Sequence, residues 1–236
     1  MVVLSGVVEP ARTHHPPRSP LRELQEGAEF VRMSPLLRPV LITAVFFNVG
    51  WFILQAAYVP YAMRVLRLTA AETGATMAIY GAGMLAGALL APQVTRRLRF
   101  GTVIRLGPLG GMAGALLLLL TLRWPTPVLA GASFFLFGLG PVLWVISSTT
   151  LRQAITPPHM LGRVGSLVMM ATYGARPLGA AVGALVGARL GEEACLVASA
   201  VAFAVQLGVI CMSAVARLAE LPAEARDVHH ASAALA

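Results

Sequence analysis

Residues 39–63 read PVLITAVFFNVGWFILQAAYVPYAM, twenty-five positions without one charge between Arg38 and Arg64. At 1.5 Å of rise per residue such a run is long enough to cross about 30 Å of hydrocarbon, and a transmembrane helix is its default reading. Three more uncharged runs follow: 23 residues between Glu72 and Arg96, 28 between Arg123 and Arg152, and 23 between Glu193 and Arg217. All pass the roughly 18 residues at which a span is inferred. In 236 residues, 57% are hydrophobic and only 12% charged. A soluble domain devotes about 25% to charge. Soluble enzyme, nucleic-acid-binding domain and disulfide-rich module are excluded as classes, and a multi-pass membrane protein remains.

Six spans are predicted, at 39–63, 74–95, 103–122, 128–149, 164–188 and 194–216. The third begins close to Arg105, whose long side chain can reach back to the headgroups. The fifth carries Arg176 and Pro177 and reads as interrupted there. Arg123-Trp124-Pro125 and Arg189-Leu190-Gly191 read as tight turns. Residues 21–34 have Leu21, Leu24, Ala28 and Val31 on one side and charges on the other, which predicts an interfacial amphipathic helix. Residues 1–20 read as a Pro-rich disordered cytoplasmic tail without a signal peptide, and 217–236 as a second cytoplasmic tail. The histidine pairs His14-His15 and His229-His230 in these ends carry no metal-site reading, and no cofactor is implied.

The net charge of +8 comes from 18 basic residues against 10 acidic ones, all 18 being arginine. With six spans both termini share a side. Thirteen arginines then fall on that side, four (Arg64, Arg67, Arg123 and Arg189) on the other, and Arg176 within a span. The positive-inside rule predicts cytoplasmic termini, in the plasma (inner) membrane of a bacterial cell. Cys195 and Cys211 are about 24 Å apart along one helix, too far for a disulfide.

Small residues recur at four-residue spacing: Gly83 and Gly87, Gly107 and Gly111, Gly110 and Gly114, and Gly179, Gly183 and Gly187. Stripes of this kind let helix backbones come into van der Waals contact in lipid, either as static packing or as a sliding surface. Polar residues within the spans are few. Asn48 and Gln55 lie seven apart on nearly one face and are candidates to line a cavity, with interhelical hydrogen bonding the alternative. Tyr173, Arg176 and Gln206 complete the set of substrate, cavity or gating candidates. Arg176 lies about 18 Å into its span, close to the bilayer centre. No Asp or Glu lies in any span, so its partner is expected to be backbone, water, substrate or another polypeptide.

Two stretches carry a family resemblance. LRQAITPPHMLGRV at 151–164, followed by GARPLGAAVG at 174–183, resembles the major facilitator superfamily, and within it the bacterial drug and siderophore exporters. These fall on the loop between the tenth and eleventh helices, and on the eleventh, of such twelve-helix proteins. LQEGAEFV at 24–31 resembles the segment leading into their seventh helix. Arg96, Arg97, Arg99 and Gly101 sit where the family repeats a basic inter-helix loop, and Arg152 and Arg163 flank its next cytoplasmic loop. The family's acidic residue ahead of the basic pair is missing; Pro92, Gln93 and Thr95 stand in that neighbourhood.

The resemblance implies an all-α fold of six transmembrane helices, one half of a major facilitator fold. It would be built as inverted three-helix repeats at 39–122 and 128–216. It further implies alternating-access efflux of small amphipathic molecules and no enzymatic reaction. Partners would be the lipid bilayer, a small-molecule substrate and a second six-helix chain, either another copy or a separate N-terminal half. The competing reading is a non-transporting membrane protein: an inactive remnant or an assembly partner.

Overall fold

A computed structural model describes residues 20–221. The tails at 1–19 and 222–236, with both histidine pairs, lie outside the described residues. The described chain is all helical: α1 (Pro20–Met33), α2 (Leu37–Arg64), α3 (Ala70–Arg97), α4 (Phe100–Leu120), α5 (Pro127–Ile155), α6 (Leu161–Leu190) and α7 (Glu192–Met212), with 3-10 turns at Pro158–Met160 and Ala214–Arg217. Five of these, α2, α3, α4, α5 and α7, are long and apolar enough to cross a membrane. At 30 residues α6 is the longest, but with Arg176 at its middle it does not reach that apolarity.

Several helix limits differ from the sequence reading. The helix α5 continues six residues beyond 149, carrying Arg152 within it, because the uncharged run marks the apolar stretch and not the end of backbone hydrogen bonding. Pro177 does not interrupt α6, which is continuous. The last helix stops at Met212, four residues short of 216, where Ser213 turns extended and a 3-10 turn follows. The basic segment at 95–101 is almost all helix: α3 runs through Arg97, α4 begins at Phe100, and only Leu98 and Arg99 connect them. Arg163 likewise belongs to α6.

Local sequence sets the boundaries. Thr69 caps α3 reciprocally: its hydroxyl accepts from the Glu72 backbone N–H, while the Glu72 carboxylate accepts from the Thr69 N–H at 2.8 Å. Thr126 caps α5 ahead of Pro127. A single residue, Gly191 at φ +86°, reverses the chain between α6 and α7, a conformation that favours glycine. Arg105 turns back toward the start of α4, donating to the Gly101 carbonyl at 2.9 Å, as its position near a membrane edge requires.

Apart from α4 and α5, consecutive membrane helices are not the main packing partners. The helix α5 packs on α3 and α4; α2 packs on α6 and α7; and α4 meets α7 between the two groups. Exchanging α2, α3 and α4 with α5, α6 and α7 leaves this pattern unchanged. The seams are close because they are glycine-lined. A Cβ on Gly83 would fall on the Phe135 carbonyl of α5, and one on Gly138 on the Tyr80 carbonyl of α3. Gly179 sits against Val49 of α2, where a Cβ would lie 2.6 Å from the carbonyl oxygen, and Gly183 against Ile53 and Ala56. Gly187 breaks the expected series: its nearest neighbour is Cys195 of α7, at an ordinary 3.4 Å.

The two ends of the bundle are filled differently. At the end where α2 finishes, Tyr58, Tyr61, Phe134, Leu118 and Leu196 form a dense core, closed by hydrogen bonds from Tyr58 to Thr76 (2.5 Å) and Tyr61 to Thr121 (2.7 Å). Trp51 and Phe137 extend this core inward, and Phe203 meets Phe137 at 5.1 Å and Phe47 at 5.7 Å. At the opposite end, where α2, α4 and α6 begin, the helices leave a cleft.

Candidate functional site

The cleft holds about 300 Å³. Its walls come from the first half of α2 (Leu37 to Asn48), Gly107 and Pro108 of α4, the last half of α5 (Pro141 to Arg152), the first half of α6 and Gln206 of α7. Val31 of α1 reaches its edge. Most of the surface is apolar, with Asn48, Arg152, Arg176, Gln206 and three hydroxyl residues as its polar points. Apolar walls with a few convergent polar groups are the usual make-up of a small-molecule site.

Arg176 is the centre of this arrangement. Its Nε–H donates to the Asn48 side-chain oxygen at 3.1 Å, joining α6 to α2. Its guanidinium carbon lies 4.0 Å from the Tyr173 ring centroid and 5.6 Å from that of Phe52. The partner is therefore a side-chain amide of the same chain, which corrects the sequence-based expectation. Asn48 in turn donates to the Ala44 carbonyl at 2.9 Å, so both ends of its amide are committed. Tyr173 meets Arg176 with its ring, and it is 54% exposed, outside the cleft wall.

Of the remaining candidates, Gln206 lines the cleft and is 1% exposed. Its backbone carbonyl faces Thr43 at 3.5 Å, and its Nε2 lies buried without a hydrogen-bond partner. A Cβ on Gly111 would stand 3.0 Å from that nitrogen, so the glycine makes room for the amide. Gln55 does not line the cleft. Seven residues return to the same face of α2 but advance about 10 Å along it, which carries Gln55 past the aromatic floor.

Arg152 was read from sequence as part of a loop motif; its helix brings it to the cleft wall instead. Trp144 also lines the cleft, and no polar or charged signal in the sequence marks it. It lies on the face of α5 shared by Pro141, Ser148 and Arg152, a spacing of three to four that marks one helical face. Arg163 stays out of the cleft. It pairs with Glu26 at 2.7 Å and Glu23 at 3.7 Å, docking α1 on the start of α6, where Gly27 lies against the Arg163 backbone. Arg96 and Arg97 lie at the exposed end of α3, Arg99 in the connection that follows, and Gly101 packs under Ala216. Among the described residues no three of His, Cys, Asp and Glu gather where they could hold a metal.

A family model described as "Major Facilitator Superfamily" matches residues 1–180. No curated protein matches the chain significantly. Among solved structures, the fold is similar to that of a mutant of the peptide transporter POT in complex with alafosfalin, with a TM-score of 0.65 at 19% identity. The match covers 90% of this chain and 48% of that one, so the chain spans about half that transporter's length.

Proposed function

The chain belongs to the major facilitator superfamily, and we propose that it acts as one six-helix half of a carrier exporting small amphipathic molecules by alternating access. In this reading α2 to α4 and α5 to α7 are inverted repeats, and α6 is the sixth span despite its arginines. The unchanged packing pattern under exchange of the two triplets supports the repeat. A polar end facing the cytoplasm follows from the arginine distribution.

The observation that carries transport is the cleft itself: about 300 Å³, open at one end of the bundle, floored by aromatic rings, and holding a cation near mid-membrane depth. A cation kept in an apolar setting is costly unless hydration, a partner or a ligand compensates it. Arg176 has a neutral amide and aromatic rings around it. A second six-helix unit, another copy or a separate polypeptide, would supply the opposing wall.

The test is replacement of Arg176 by Ala at the native locus, with intracellular retention of a panel of amphipathic dyes as readout. The variant should retain dye as a deletion strain does, while quantified membrane fractions hold the protein at wild-type level. Normal efflux in that strain would overturn the reading. In-membrane crosslinking then identifies the opposing half.

A further inference from the structure

We infer that the cleft selects amphipathic anions: an oxyanion such as a carboxylate or sulfonate on an apolar body, held by Arg176 with Arg152 as a second cation. The inference rests on the transport reading and names its substrate class. Both arginines line the cleft, and among the described residues no Asp or Glu does. Three of the described carboxylates are engaged elsewhere: Glu23 and Glu26 with Arg163, and Glu192 with Arg64 at 2.8 Å. The cavity therefore presents two positive charges within apolar walls, where Coulomb terms are stronger than in water. A cationic amphiphile would meet repulsion there, and a neutral one would leave the charge uncompensated.

The geometry of Arg176 makes the selection specific for an oxyanion. Its Nε–H is used by Asn48, and the Tyr173 and Phe52 rings pack around the guanidinium. What remains are the terminal N–H groups, which make no hydrogen bond among the described residues. Such a fork matches the two oxygens of a carboxylate or sulfonate with parallel charge-assisted bonds. The nearby hydroxyls of Thr172 and Ser148 make no hydrogen bond to that fork. Thr172 donates to the Val168 carbonyl at 2.7 Å and Ser148 to the Val145 carbonyl at 3.4 Å, each folded back on its own helix. Apolar area from Phe47, Trp144, Val164 and Val168 would take the body of the ligand.

The full chain in zwitterionic lipid nanodiscs is titrated calorimetrically with three probes sharing one ring system: 2-naphthylacetate, 2-naphthylacetamide and 2-(2-naphthyl)ethylamine. Empty discs are the reference. The acid should bind at least about tenfold more tightly than the amide, and the amine should not exceed the empty discs. Arg176→Gln should bring the acid down to the amide, Arg176→Lys should fall between, and Arg152→Gln should lower the acid by a smaller factor. A melting curve in the same discs shows that each variant is folded. Equal binding of acid and amide, or preference for the amine, overturns the anion inference and leaves a cleft for amphipathic molecules standing. Full acid preference in folded Arg176→Gln overturns the assignment to Arg176. Binding of none of the three overturns this inference together with the substrate-cleft reading on which it rests.

Discussion

Two seams of this molecule use the same device to different ends. Between α3 and α5, glycines oppose each other from both sides: Gly83 lies under the Phe135 carbonyl and Gly138 under that of Tyr80. Between α6 and α2 the glycines come from α6 alone, and α2 answers with Val49, Ile53 and Ala56. One turn before Gly179 stands Arg176, and one residue before Val49 stands its partner Asn48. The first seam is backbone against backbone and leaves no space for a polar group. The second is slightly looser and carries the Arg176–Asn48 hydrogen bond at its edge. Close packing alone thus says nothing about function; the difference lies in which seam admits a polar pair.

Enlarging the tighter seam should have the largest effect. Gly83→Leu or Gly138→Leu would force α3 and α5 apart, and no monodisperse folded chain should be recovered on size exclusion. Gly81→Leu is the control, because a Cβ there meets nothing within 4 Å; its recovery should match wild type. If all three behave alike, the distinction between the faces of α3 fails. On the looser seam, Gly183→Ala should fold, with a stability loss of about 1–3 kcal/mol from overpacking, offset by about 0.5–1 kcal/mol of better helix propensity. A thermal melt reads the net.

The polar pair offers an asymmetric test. Asn48→Leu strands the Arg176 Nε–H and should cost about 1–3 kcal/mol. Arg176→Leu strands the neutral Asn48 Oδ1 but removes the charge with it, and should cost less; only the double replacement of Asn48 and Arg176 by Leu should approach neutrality. The reverse order in denaturation midpoints would assign the bridge a purely stabilising role. In the packed end, Tyr61→Phe removes a hydrogen bond to Thr121 and should cost about 0.5–1.5 kcal/mol, with no effect on probe binding. Smallest is Arg163→Gln. Its ion pairs to Glu23 and Glu26 are partly exposed, worth about 0.2–1 kcal/mol, so global stability should barely move while hydrogen exchange in α1 rises.

Much of this architecture can be read from residues alone, and the rest depends on which helix meets which. Uncharged runs place α2, α3, α5 and α7 because crossing a bilayer requires length and apolarity, both local properties. Glycine spacing marks Gly83, Gly87, Gly179 and Gly183 as seam residues, yet the same spacing in Gly187 leads only to Cys195. Periodicity identifies a face and cannot say where along the helix its neighbour ends. Arg176 stands out by being charged inside a span. Its partner lies 128 positions away, and only the packing of α6 on α2 brings them together. Arg152 is hidden from a sequence reading for a related reason: the apolar stretch of α5 stops before the helix does, so a cleft residue looks like a loop residue.

Because α2 packs on α6 and α7 while α5 packs on α3 and α4, neither triplet contains its own main contacts. During synthesis α2, α3 and α4 would enter the membrane before the helices that cover their tightest surfaces. The Gly83 and Gly87 face of α3 waits for α5, more than forty residues later, and Gly50 of α2 waits for Ser199, Ala202 and Phe203 of α7. The Ser199 hydroxyl donates to the Gly50 carbonyl at 2.8 Å across 149 positions of chain. Closure of this bundle therefore waits for α7, and without α7 the helix α2 lacks one of its two main packing partners.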